Sequence, residues 1–436
     1  MNSSGLLPNE ITWWDPVAVT LAVAGTMLWV RWLASRLLND LDATSFRRVT
    51  LGAALVMLIT LAVGWTTVTY PALWSVVAPD GAQYQRLIDG ISSELPGVAR
   101  PPQLPDRAVF LYLIAMAQWL FGAHAYVTVV VNAGLAATSY LLLVHMTHRL
   151  VRGTGLHPRT TQLTALLYLA VPIVHVWMAS PLREALVLAL LLTSLDASIR
   201  VAQGDDPAWL LASVGAAAVL GGVRGVAVPA ALGGLAAAAA IRSLQQPRLR
   251  AFLFAPGTLA IGSVISLVAF WSQRGSLGLL AREAVTRART HFVALGDGGT
   301  ALPRPEPNAS LIEVLLLLPR DTVRYLVGPL DPAMLAARPQ FLVDVPVWVA
   351  LTPALLLGMW VLLVRTAQPD RAAVVLLLAV APTLVIGALS LGNYGIISRI
   401  RLVTWLPLLP IIAAGTQEMV ARRERNSLSH AQPSST

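Results

Sequence analysis

The sequence predicts an all-α integral membrane protein with about eleven crossings. These are built from twelve apolar helices, with two long outer loops carrying interfacial helices. Three observations predict this class. Of 436 residues, 56% are hydrophobic and only 12% charged, with a mean hydropathy of +0.68. A soluble domain carries roughly 25% charged residues, so this chain has too little polar surface for a water-soluble fold. Apolar runs of about 20 residues recur from end to end, each long enough to cross ~30 Å of hydrocarbon. Their apolarity is nearly continuous rather than confined to one stripe, which marks membrane helices and not amphipathic surface helices.

Composition also excludes several functions. The formal net charge of +9 comes from 31 basic residues, all arginine. Many of them flank apolar runs, where they act as topology signals and headgroup contacts rather than as a nucleic-acid footprint. With no cysteine, the chain has no disulfide, thiolate metal site or cysteine nucleophile. No charged leader with a small-residue cleavage site opens the sequence.

The apolar runs are 16–34, 50–71, 108–122, 124–144, 161–178, 184–199, 208–223, 225–241, 251–271, 345–364, 372–391 and 401–416. They divide the chain into an extra N-terminal helix with a basic loop (1–49), a transmembrane core (50–271), a second outer loop (272–344), C-terminal membrane helices (345–420) and a tail (421–436). Arginine placement sets orientation. The basic segments 31–48, 148–159 and 242–250 and the tail (Arg422, Arg423, Arg425) belong in the cytoplasm. The segment 1–15 has Glu10 and Asp15 and no base, which places the N-terminus outside. These constraints agree if 108–144 makes one net crossing, with 108–122 a tilted or re-entrant half-helix. The turns at 180–184 and 222–225 then share the outer face with loops 72–107 and 272–344. The membrane is most simply a bacterial plasma membrane, given an arginine-only, Ala/Leu/Val-rich composition.

The first outer loop reads Pro-Asp-Gly-Ala-Gln-Tyr-Gln-Arg-Leu-Ile-Asp-Gly-Ile over 79–91. Tyr84, Leu87, Ile88 and Ile91 fall at i, i+3, i+4 and i+7, an apolar stripe on a short helix against the membrane surface. Asp80, after Pro79, is placed to cap that helix. Farther along come Arg100-Pro101-Pro102 and an apolar run ending Leu120-Phe121-Gly122. A further helix then ends in basic residues. This order resembles the N-terminal part of the GT-C superfamily of membrane glycosyltransferases, which includes protein O-mannosyltransferases and lipid A aminoarabinose transferases. The likeness covers residues 50–270, best in the first hundred. It implies that Asp80, near Tyr84, is the catalytic base and that the donor is a polyprenyl-phosphate-linked sugar. Many relatives have two adjacent acids where this chain has Asp80-Gly81, and an acid before the Pro-Pro where it has Arg100. Glu94 is the nearest loop acid to that second position. The residues give no support for a divalent metal, and no cofactor is implied.

The chemistry stands beside the resemblance. Glycosyl transfer from a phosphate to a hydroxyl needs one carboxylate to take the acceptor proton. It also needs cations on the departing phosphate, for which arginine's fork is suited. Phosphate leaves without a general acid, so one carboxylate suffices, unlike the pair used in glycoside hydrolysis. Asp89 and Asp106 read as solvated loop acids.

Arg224 interrupts apolar sequence among Gly221, Gly222 and Gly225, a costly position unless it faces a cavity or partner. The alternative is a structural turn whose arginine snorkels to headgroups. Arg183-Glu184 opens the helix at 184–199 and reads first as a local ion pair. Asp196 and Arg200 have the spacing of an i,i+4 pair. In the second outer loop, 277–295 and 310–330 read as interfacial helices. Arg320 and Arg324 share a face there, for one lipid phosphate or for bulk anionic lipid. Near the last helix, Arg399 or Arg401 corresponds to the late outer arginine that contacts donor phosphate in GT-C relatives; a headgroup role is the alternative. His145 and His148 sit at an inner helix end beside Arg149, which reads as a solvated basic end and not a metal site. No nucleotide fingerprint is present.

The sequence thus leads to a membrane glycosyltransferase acting on a cell-envelope glycan, glycolipid or protein hydroxyl, with membrane lipid as its other partner. Two rivals remain: an envelope polysaccharide polymerase or ligase, and a lipid or glycan transporter. A transporter predicts broken helices around a midplane site.

Overall fold

The computed structural model describes residues 14–70, 81–95, 108–122, 125–154, 156, 158–180, 182–245, 311–328, 340–366, 370–389 and 394–431. Among them the regular structure is entirely helical. The helices are α1 (Trp14–Leu37), α2 (Ala43–Thr69), α3 (Gly81–Glu94), α4 (Ala108–Phe121), α5 (Ala125–Thr154), α6 (Arg159–Ala170), α7 (Pro172–Ala179), α8 (Glu184–Gln203), α9 (Trp209–Gly221), α10 (Val228–Gln245), α11 (Leu311–Val327), α12 (Gln340–Trp360), α13 (Arg371–Leu389), α14 (Tyr394–Trp405) and α15 (Leu409–Ala431).

Seven of the described stretches are long and apolar enough to cross a membrane: Ala43–Thr66, Ala125–Arg152, Glu184–Gln203, Gly225–Gln245, Asp344–Arg365, Arg371–Ala388 and Ile397–Arg425. An eighth results if α6 and α7 count as one bent span. The run 251–271 and the expected interfacial helix at 277–295 lie outside the described residues. Burial sorts the spans. Within the apolar windows of α5, α8 and α14–α15, 83 to 94% of residues are buried inside the protein, against 33 to 50% for the other four. Those three spans form the centre. The rest surround them and turn large apolar side chains outward, such as Leu51, Leu211, Leu356 and Val364. An outward apolar face on helices of this length suits the hydrocarbon of a bilayer.

Small residues bring helix backbones close where lipid offers no hydrophobic drive between helices. In α12 and α15 the contact is backbone to backbone. A Cβ on Gly358 would sit 2.0 Å from the Ile411 carbonyl oxygen, and one on Gly415 would sit 1.8 Å from that of Ala354.

Hydrogen bonds fix two ends of the bundle. Asn132 near the start of α5 donates to the carbonyls of Ser180 (2.7 Å) and Leu182 (3.3 Å), just before α8. Farther along the same helices, Arg149 donates to Gln203 (2.9 Å) and Asp205 (2.6 Å). So α5 and α8 run parallel, from one end, the Arg224 end, to the other. The second end also gathers Arg152 on Asp40, Arg365 on Glu418, and Arg422 and Arg425 on Glu418. Among the described residues, the basic segments 31–48 and 148–154 and the arginines of the last helix thus lie at one end of the bundle.

Several expectations change. The run 161–178 is not one rod: α6 and α7 bend by 62° at Val171–Pro172. Proline opens α7 because its fixed φ suits a first helical position, and it disfavours a helical residue before it. The helix begun at 124–144 continues to Thr154, and the last helix reaches Ala431, well past 416. The apolar stripe of α3 is present, with Tyr84, Ile88 and Ile91 buried. It packs on α4 within the protein core, however, rather than on the membrane surface. The short α4, 14 residues, has about 21 Å of length and cannot span alone. α11 continues through Pro319 and packs on α13, where Tyr325 fills the space over Gly387.

Candidate functional site

Two breaks in the helices create a site with a buried ion pair among the described residues. α7 stops at Ser180, whose backbone is extended at φ −62°, ψ 143°, since a residue before proline resists helical geometry. After a short turn, Arg183 and Glu184 open α8. The second break is Gly222-Val223-Arg224-Gly225 after α9, where Arg224 is extended at φ −160°, ψ 94°. Gly222 is required by close approach: a Cβ there would lie 2.8 Å from Cγ2 of Val109 on α4.

The two turns brace each other reciprocally. Arg183 Nη1 donates to the Val223 carbonyl at 2.6 Å. Arg224 Nη1 donates to Glu184 Oε1 at 2.5 Å, and both side chains of that pair are almost fully buried (8% and 4% exposed). The sequence reading of Glu184 as a local partner of Arg183 is therefore corrected. Its direct partner lies 40 residues later, because the second turn folds back over the start of α8.

Arg399, near the start of α14, stacks its guanidinium on Trp177 of α7 at 4.8 Å from the ring centroid. Glu184 lies in the field of Arg224 first, then Arg399 and Arg183. Three arginines from distant parts of the chain thus act on one carboxylate. Guanidinium groups gathered in this way suit the oxygens of an anion. Arg183 and Arg399 remain partly exposed, so the cluster is reachable.

Acceptors and a donor adjoin the cluster. Glu184 Oε2, Asn132 Oδ1 and Trp177 Nε1 are buried and have no hydrogen-bond partner among the described residues. They sit around the same turn: Asn132 is tied to Ser180 and Leu182, Trp177 precedes Ser180 and Glu184 follows Leu182. Buried polar atoms are normally satisfied, so such a group marks a place built for hydroxyl-rich or wet contacts. Trp177 and Asn132 have no sequence signature; their apolar surroundings read as plain membrane helix.

The remaining sequence candidates fall elsewhere. Asp80 lies outside the described residues, as do Asp106 and Arg100. Tyr84 is 4% exposed and packs edge-on against Phe110 at 6.0 Å, a core environment rather than an open one. Glu94 is exposed at the end of α3, and Asp89 accepts from Gln85 at 2.7 Å. Arg320 is half exposed beside Asp321 at 3.2 Å, and Arg324 is exposed.

Arg401 is 1% exposed and its fork is filled by the protein: Nη1 to Asp344 (2.8 Å), Nε to the Tyr325 carbonyl (2.8 Å) and Nη2 to the Gly328 carbonyl (2.5 Å). It ties α14 to α11 and α12. Arg399 and Arg401, interchangeable in the sequence reading, therefore have different surroundings, because residues two apart on a helix point about 200° apart.

At the opposite end, His145 is buried and not a solvated helix end. Its Nδ1 lies 2.6 Å from Asp196 Oδ1, and Asp196 Oδ2 accepts from Arg200 Nε at 2.9 Å. The i,i+4 pair is present and the histidine completes it, from a helix that the sequence spacing does not reach. No group of three or more His, Asp or Glu side chains suited to a metal occurs among the described residues.

Fold and site define a polytopic helical protein whose apolar helices suit a bilayer, with a cationic cluster at one end. No protein-family model matches the chain, and neither a curated protein nor a solved structure is significantly similar to it.

Proposed function

We propose that the chain is a GT-C-like membrane glycosyltransferase that takes a sugar from a polyprenyl-phosphate carrier. The observation that carries the reading is the convergence of Arg183, Arg224 and Arg399 around Glu184. Arginine forks match phosphate oxygens, and a helix-bundle end gives the carrier's chain a lateral route from the bilayer. Glu184 Oε2, Asn132 Oδ1 and Trp177 Nε1 supply hydrogen-bonding capacity for sugar hydroxyls beside that phosphate.

In this reading the acceptor hydroxyl of an envelope glycan, glycolipid or protein attacks the anomeric carbon. The bond from that carbon to the phosphate oxygen breaks as the new bond forms, so configuration inverts. Asp80 takes the hydroxyl proton, and the polyprenyl phosphate leaves with its added charge held by Arg183, Arg224 and Arg399. Arg401, with its donors committed to Asp344 and two carbonyls, is left out of the phosphate set. The proposal counts about eleven crossings, with 251–271 as one of them. It places the Arg224 end outside and the arginine-rich C-terminal end in the cytoplasm.

The test is binding and turnover of radiolabelled polyprenyl-phosphate sugars by purified protein in detergent, wild type against Asp80→Asn. Transfer lost in the variant while donor binding survives supports both donor and base. If the wild type binds no such lipid, the donor assignment fails, and polymerisation or transport of lipid-linked glycans becomes the reading to test. Normal turnover by folded Asp80→Asn removes the base assignment alone.

A further inference from the structure

The opposite end of the bundle carries a second arginine constellation that the glycosyl-transfer reading does not use. α12 ends in a π-helical turn, Val361–Arg365, and α15 passes it at the close backbone contact of Gly358 with Gly415. Just beyond that contact, Glu418 Oε1 receives three guanidinium groups: Arg365 Nη1 at 2.8 Å, Arg422 Nε at 3.0 Å and Arg425 Nη2 at 3.1 Å. Glu418 itself is nearly buried at 9% side-chain exposure, while the three arginines remain 47 to 58% exposed.

One carboxylate oxygen cannot balance three cations. With Arg423 and Glu424, also on this surface, the formal excess is still two positive charges. The helix pair holds those charges together against their repulsion, and the partly exposed guanidinium groups keep N–H donors that Glu418 does not take up. The depth is also defined. Arg422 follows Arg399 by 23 residues along the nearly continuous α14–α15, about 35 Å at the helical rise. That is one hydrocarbon thickness away, so the cluster sits at headgroup level.

The surface beside it is apolar. Arg422 stacks on Trp360 at 5.2 Å, and Trp360 is 43% exposed, the position of an interfacial indole. Leu356 and Val364, one turn to either side of Trp360, and Met419, one turn before Arg422, are exposed as well. A soluble anion has no use for that apolar margin, whereas a phospholipid fills both parts.

We infer that Arg365, Arg422 and Arg425, gathered by Glu418, form a specific site for an anionic phospholipid with a two-phosphate headgroup, of the diphosphatidylglycerol class. Two headgroup charges match the two in excess, and the acyl chains lie along Trp360 and Leu356. Basic pockets between membrane helices bind such headgroups by the same physics.

The test is lipid retention. Full-length protein is reconstituted with phosphatidylcholine containing either diphosphatidylglycerol or phosphatidylglycerol at equal total charge. It is then extracted in mild detergent, and the bound lipid is counted by native mass spectrometry. Wild type is expected to keep the two-phosphate lipid about tenfold better, and Arg365→Gln/Arg425→Gln to lose that preference by about tenfold or more. The double variant Arg47→Gln/Arg48→Gln removes the same charge from exposed positions at the same end and is expected to retain it. Equal retention of both lipids by wild type overturns the inference, even if the variants fold poorly. Equal loss in the two double variants also overturns it, because the effect is then bulk attraction.

Discussion

Replacing Arg401 with methionine should destabilise the protein by about 3–5 kcal/mol, the range for breaking a buried ion pair from one side. The structure gives the reason. The guanidinium is 1% exposed and its loss strands Asp344, also 1% exposed, with the Trp348 indole N–H as its remaining hydrogen-bond donor. The carbonyls of Tyr325 and Gly328 lose their donors too, at about 1–3 kcal/mol for each group left buried and unsatisfied. Removing Asp344 as well, in Arg401→Met/Asp344→Leu, leaves no uncompensated charge, only the two carbonyls and the indole. The two changes should therefore be non-additive, with a coupling of about 2 kcal/mol or more. The assay is a double-mutant cycle on reversible unfolding in mixed micelles, with the mole fraction of SDS as denaturant and donor binding measured in parallel. Additive losses would refute the reasoning. So would an Arg401→Met protein of normal stability that no longer binds donor, since that would put Arg401 on the substrate.

Other outcomes follow from the same geometry. Gly415→Ala should destabilise by about 1–3 kcal/mol, because its Cβ would meet the backbone of α12, whereas Gly215→Ala, exposed in α9 with nothing within 4 Å, should stabilise by about 0.5–1 kcal/mol. Equal effects in the same unfolding assay would argue against the close α12–α15 crossing. Arg224→Lys keeps the charge beside Glu184 but loses the planar fork, so donor affinity should fall about tenfold while the protein still folds. An unchanged dissociation constant would show that Arg224 acts only on Glu184.

The break at Val171–Pro172 shows how far the sequence can be read. Hydropathy registers 161–178 as one run because bending a helix changes no side chain's polarity. Proline identity is local, but whether it kinks a helix or opens a new one depends on what α6 and α7 pack against. Tyr84 makes the same point from another side. Its i, i+3, i+4, i+7 stripe correctly marks a buried face, yet periodicity cannot distinguish burial against lipid from burial against α4.

The sequence by itself determined the membrane class, the helical architecture and the end at which the basic segments gather. Each of these follows from composition and from patterns that repeat within a few residues. It also singled out Arg224 as an arginine on costly ground, and it named Arg183, Arg399 and Arg401 as outer-face arginines without telling the last two apart. Only the tertiary structure decided their surroundings and separated Arg399 from Arg401. The ion pairs that matter join residues 40 and 57 positions apart, Glu184 with Arg224 and Asp344 with Arg401. Helical spacing links a residue to neighbours three or four away, and the burial that makes a charge functional or structural is a property of the packed helices around it.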